Sequence, residues 1–159
     1  MFKDDKQIGL IGEYVVWDAL TKLEGVKSVV DVREDKRFQE WDVDFLVQDR
    51  DRQFTWIEAK TDFYTFYTGN VIYEVQSGNK AGCFERTKAQ IVAYYVPQSG
   101  NIYLLDVEKM RELVKGNDYG LYNAAEHNIV NRVPLGDCER FGVLTRMIHT
   151  DPLPNYKEN

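Results

Sequence analysis

The sequence is poor in the residues that build covalent or zinc-held frameworks. Its 159 residues include 2 cysteines and 2 histidines. Cys83 and Cys138 lie far apart, without C-x-x-C or Cys/His ligand spacing. That excludes a zinc-finger pattern and a disulfide scaffold, and points to reduced thiols in a cytoplasmic protein. His127 and His149 lack metal-ligand spacing too, and no chemistry is assigned to them. No apolar run approaches the ~20 residues that span a bilayer. Residues 1–6 have nothing of a signal peptide, so no membrane partner and a cytoplasmic location are expected. Basic charge is also short: 20 Lys and Arg stand against 26 Asp and Glu, a net charge of −6. Proteins that hold phosphate backbones usually carry a basic surface, because counterion release supplies much of the affinity. A nucleic-acid role here must rest on a local basic stripe, or on acids offset by bound cations.

What remains is an ordinary globular composition with many aromatic residues, 13% of the chain. The length fits one domain, residues 1–159, with no repeat or linker-like stretch. Ile8, Ile11 and Val15, with Leu10, Tyr14 and Trp17, predict a largely buried helix over 7–23, ending at Gly25. Strands are predicted at 26–32, 42–47, 54–60, 71–75, 91–96 and 102–105. Residues 48–53 turn between the second and third, making a hairpin. Residues 35–39 read as a polar break, 77–82 as a glycine-rich loop and 84–90 as a short helix. Residues 107–115 predict an amphipathic helix closed by Gly116, and 116–159 are weakly patterned. A helix, then strands, then helices predict an α/β or α+β domain with a central mixed sheet.

The chemistry concentrates in the hairpin. Alternate side chains of a strand share a face, so Glu58 and Lys60 point the same way, as do Asp42 and Asp44 next door. Pairing of the two strands then brings carboxylates and a lysine together. Phosphodiester hydrolysis uses that set. Carboxylates hold Mg²⁺, the metal polarises the phosphoryl group and activates water, and an ammonium group balances developing charge. An E-x-K triplet alone is weak evidence, and Glu34-Asp35-Lys36 is a second one; the signal is its conjunction with a preceding acidic strand. Glu13 is a third acid, flanked by Gly9 and Gly12 within the first helix. Glycine there costs roughly 1 kcal/mol against alanine, so two of them suggest close approach of another element. Glu13 reads either as an acid aimed at a metal site or as a surface acid beside tight packing.

The order of Glu13, Asp44 and Glu58-Ala59-Lys60 resembles the PD-(D/E)XK nuclease superfamily, which includes restriction endonucleases and Holliday-junction resolvases. The stretches 68–74, 78–82 and 87–89 are similar to small phage nucleases. The resemblance covers about residues 7–106, and Val43 replaces the proline of the family's name. It implies a restriction-endonuclease-like fold, with a mixed central sheet flanked by helices. It implies Asp44, Glu58 and the Ala59 carbonyl as ligands for Mg²⁺, with Mn²⁺ substituting, Lys60 as catalytic lysine and Glu13 as auxiliary acid. Asp42 is the alternative ligand. Gln90 and Tyr94 match the Q-x-x-x-Y spacing of exonuclease-type members, and Lys88 is a candidate phosphate contact. The implied partner is DNA, branched or junction DNA among the candidates, and a homodimer would suit that role. Aromatic residues from Phe63 to Tyr67 can stack on bases or pack under a loop. The rival expectation is a catalytically inactive nucleic-acid-binding or phage assembly protein that keeps the fold.

Overall fold

The computed structural model describes residues 5–125 and 127–153. The chain opens with helix α1 (Asp5–Thr21), which turns at Gly25 into β1 (Val26–Asp31). A hairpin of β2 (Phe45–Asp49) and β3 (Phe54–Thr61) follows, in the register Phe45 opposite Ile57 and Val47 opposite Thr55. Together with β6 (Ile91–Val96), β7 (Asn101–Asp106) and β10 (Leu144–His149) they form a six-stranded sheet in the order β1-β2-β3-β6-β7-β10. Only the β3–β6 pair is parallel, so the sheet is mixed. The architecture is therefore α/β, with a central mixed sheet and flanking helices.

The two faces of that sheet bury different partners. Phe45, Ile57, Ala93, Tyr95, Ile102 and Leu104 pack with Val16, Ala19 and Leu20 of α1. Val92, Tyr94, Val96 and Leu105 pack the other way, against Val71, Tyr73 and Val133 and against Met110 and Leu113 of α5 (Val107–Gly116). The alternation of β6, Ala93 and Tyr95 against Val92, Tyr94 and Val96, is what a strand covered on both faces requires. At Gly12 α1 lies close against the sheet. A Cβ there would overlap the Thr61 hydroxyl and press on its Cβ, whereas a Cβ at Gly9 meets nothing within 4 Å.

The second layer contains a feature the sequence did not announce. A four-stranded sheet, β5-β4-β9-β8, is built from β4 (Asn70–Ser77), β5 (Lys80–Ala81), β8 (Tyr122–Ala125) and β9 (Asn128–Pro134). The strand predicted at 71–75 belongs to it. The expected glycine-rich loop at 77–82 contains its β4–β5 turn. The weakly patterned region 116–159 supplies β8, β9, α6 (Leu135–Arg140) and β10. Three other expectations are corrected. The break at 35–39 is mostly helix α2 (Lys36–Glu40), capped by the Asp35 side chain accepting from the Arg37 N–H. The helix expected at 84–90 is the short α4 (Cys83–Arg86). β2 starts at Phe45, because Asp42 adopts a left-handed φ of 48° and takes the chain out of extended geometry before the strand begins. Among the described residues, no helix is long and apolar enough to cross a membrane.

Candidate active site between the two sheets

Asp44 immediately precedes β2, and continuing the Phe45–Ile57 register places it across from Glu58. Its N–H donates to the Ile57 carbonyl at 2.9 Å. Its Oδ2 accepts from the Ala59 N–H at 2.8 Å, so a carboxylate caps β3 where the backbone partner has run out. The N–H and C=O of one strand residue face the same strand edge. The Ala59 carbonyl is thereby directed to the edge that Asp44 occupies. Glu58 and Lys60 pair with Val92 and Tyr94 of β6, so both project from the face that looks toward the second sheet.

The electrostatics of this group are strained. Burial, then the charge on Glu13, pushes the Asp44 carboxyl up to about 6, although the Ala59 N–H pulls the other way. Burial again comes first for Glu58, followed by Asp44 and Asp42, and lifts it to about 10. Two carboxyls set across a strand pair in a poorly solvated pocket cannot both ionise cheaply. Lys60 does not resolve that conflict. Its ammonium donates to Glu74 of β4 at 2.6 Å. Burial is the largest influence and works against its charge, but Glu74, together with Cys83 and Glu58, leaves the Lys60 pKa raised.

The other sequence-singled residues take different places. Glu13 reaches the site edge from α1 and accepts from Arg33 at 2.9 Å, while Arg33 also binds Asp31. Asp42 shares no strand face with Asp44; it holds Arg86 in an ion pair. Gln90 ties β6 to β3: its side chain accepts from the Trp56 N–H at 2.5 Å and its own N–H donates to the Trp56 carbonyl. Lys88 lies 5.0 Å above the Trp41 ring. Tyr94 is fully buried, and its hydroxyl bonds Asp62 and accepts from the Ile72 N–H. Gln90 and Tyr94 thus brace the framework around the site.

Glu74, Arg33 and Asp62 were not singled out by the sequence. Glu74 left one trace: an acid amid the apolar residues of β4. Asp62 accepts from Tyr94, Thr65 and the Tyr64 N–H, and so shapes the turn after β3.

A magnesium ion is the cation that the resemblance implies, and the donors fit one. Mg²⁺ binds through one or two carboxylates and keeps several waters. Asp44 and Glu58, plus the Ala59 carbonyl, supply that set. A divalent charge would relieve the conflict that raises both carboxyls. Among the described residues, no group of three or more His, Cys, Asp or Glu side chains converges as a metal cage. The pair is the acidic complement of the site.

A cleft of about 690 Å³ opens beside this group. Glu13, Ala59, Lys60 and Thr61 form one wall, Ile72, Glu74, Val130 and Arg132 another, and Asp62, Phe63 and Tyr64 an end.

No protein-family model matches the chain, and no curated protein sequence matches it. Among solved structures, the fold is similar to that of a bacterial homing endonuclease, I-Ssp6803I, with a TM-score of 0.51 and 13% sequence identity. The alignment covers 98% of this chain and 84% of that one. At that identity the likeness concerns the fold, and it extends through both sheets.

Proposed function

We propose that this chain is a Mg²⁺-dependent nuclease of the PD-(D/E)XK type that hydrolyses DNA phosphodiester bonds. The observation that carries the proposal is the pair Asp44 and Glu58. They are brought opposite each other by strand register and held above ordinary carboxylate pKa values by burial, and Glu58 lies two residues from Lys60 on the same face of β3. Such a pair is costly unless it binds a cation. The similarity to an endonuclease fold is in keeping with this reading and does not carry it.

Asp44, Glu58 and the Ala59 carbonyl would hold the ion, with Mn²⁺ able to replace Mg²⁺. The bound ion would supply Lewis acidity toward the phosphoryl oxygen and lower the pKa of the attacking water. Lys60, kept charged by Glu74, would offset negative charge growing on the phosphoryl oxygens. The Ala59 N–H fixes the Asp44 carboxylate, and Arg33 fixes Glu13 at the site edge as an auxiliary acid. The water oxygen bonds to phosphorus, the P–O3′ bond breaks, and the leaving oxygen takes up a proton. The products are 5′-phosphate and 3′-hydroxyl ends.

Purified protein incubated with single-stranded, branched and duplex DNA tests the reading. Cleavage that needs Mg²⁺ or Mn²⁺ and is lost in Asp44→Ala and Lys60→Ala supports it. Wild-type cleavage by either variant removes that residue from the mechanism.

A further inference from the structure

The cleft beside the carboxylate pair has a size and lining that a metal site alone does not require. Its volume of about 690 Å³ lies within the range of roughly 300–1,000 Å³ typical of ligand pockets. It is lined from α1 and from both sheets. Ile72 and Val130 supply apolar surface to it, and Asn123 and Asn128 supply amides. Tyr64 stands at one end, 69% exposed, and opens α3 (Tyr64–Thr68), whose Phe66 and Tyr67 are also exposed, 51% and 57%. Aromatic rings left half-open to water on a five-residue helix bury little that would justify them as core.

The charges of the cleft narrow the occupant. Glu13 is engaged by Arg33, Glu74 by Lys60, and Asp62 by Tyr94 and Thr65. Arg132 lines the cleft from β9 and lies 4.1 Å over the Tyr122 ring, and among the described residues it forms no ion pair. The cleft thus offers a ring face, amide groups and the Arg132 guanidinium beside a site for a phosphodiester. With 26 acidic against 20 basic residues, affinity led by counterion release is weak here, and stacking is the stronger remaining source.

We propose that this cleft is a subsite for an unstacked nucleotide, so that the substrate is a DNA strand with at least one unpaired base next to the cleaved phosphate. Tyr64 stacks on that base, and Arg132 meets the adjoining phosphate. The proposal rests on the nuclease reading for the position of the phosphate, but the stacking is tested without cleavage. Glu58→Gln protein in chelator is titrated with a labelled single-stranded oligonucleotide and with the matching blunt duplex, by fluorescence anisotropy. Single strand is expected to bind at least about ten-fold tighter. Adding Tyr64→Ala should weaken it by about 5- to 150-fold, the span of one base–aromatic stack, while Tyr64→Phe keeps it. The dependence of log K on log salt should have a shallow slope of about −1 to −2, as for one to three phosphates. Tyr64 is exposed, so thermal unfolding of its variants should match the parent and exclude misfolding as the cause. Equal affinity for the two DNAs, an inert Tyr64→Ala, or no binding of either DNA overturns the subsite. Failure of the two readings is separable. Tyr64-dependent strand binding by a wild type that never cuts upholds the subsite and ends the nuclease reading. Metal-dependent cutting of duplex and single strand alike, unaffected by Tyr64→Ala, does the reverse.

Discussion

The two faces of β3 are made from alternate residues of one eight-residue strand, and they behave as opposites. Toward α1, Ile57 and Ala59 join Phe45, Ala93 and Tyr95 in an apolar layer close enough that Gly12 has no room for a side chain. Toward the second sheet, Glu58 and Lys60 stand with Asp44 and Glu74 beside buried Tyr94. The first face stabilises the fold by burying apolar surface. The second spends part of that stability on charges that water would solvate better. A strand can host a strained site on one side because the other side is already secured.

The largest effect that sharpens the contrast is on rate. Glu58→Gln and Asp44→Asn are expected to reduce metal-dependent cleavage by about a thousand-fold or more, beyond the 10–100-fold common for groups behind a metal ligand. Single-turnover kinetics at saturating Mg²⁺ measures it. Neither variant should lower the melting temperature of metal-free protein at neutral pH. On the other face, Phe45→Ala is expected to cost about 3–5 kcal/mol of stability by leaving a cavity under α1, read from urea unfolding. A variant that loses catalysis and stability together on either face would break the comparison.

Gly12→Ala is expected to cost about 1–3 kcal/mol through the clash with Thr61. Much of the loss should return in a Gly12→Ala, Thr61→Ala double variant, which removes the hydroxyl but keeps the Cβ. A double-mutant cycle by urea unfolding gives that coupling.

The last effect is in pH. Asp44 and Glu58 have folded pKa values of about 6 and about 10, above their unfolded ones. The native state therefore binds more protons than the unfolded chain once pH passes the ordinary carboxylate range, and stability falls as pH rises. Metal-free protein should lose on the order of several kcal/mol between about pH 5 and pH 8, at about 1.4 kcal/mol per pH unit for each carboxyl that the fold keeps protonated. Glu58→Gln should flatten the decline, and Mg²⁺ should oppose it. Thermal melts in chelator across pH decide the sign.

Much of this contrast was legible in the sequence. The alternation of 54–60 and the acid opening the preceding strand gave the hairpin, the common face of Glu58 and Lys60, and the mixed sheet. Gly12 was readable as a close approach, whereas Gly9, read the same way, meets nothing within 4 Å. What escaped depended on distance or brevity. The Glu74 carboxylate meets Lys60 from another sheet, across fourteen positions of sequence, and no local pattern encodes that. α2 has five residues, too few for a helical period to register, and the expected helix α4 stops at Arg86, short of the end at residue 90 that was read for it. β8 and β9 lie in a stretch whose pattern is too weak to mark strands. Asp42 was misplaced because a single left-handed residue ends the alternation.

The central claim is that Asp44 and Glu58 form a divalent-cation site. Isothermal titration of the protein with Mn²⁺ tests it most directly. The prediction is a saturable site in the wild type, accompanied by proton release because both carboxyls are raised, and abolished in Glu58→Gln and Asp44→Asn. Absence of saturable binding, or binding unchanged in both variants, would contradict the claim and favour a non-catalytic nucleic-acid-binding or assembly role for the same fold.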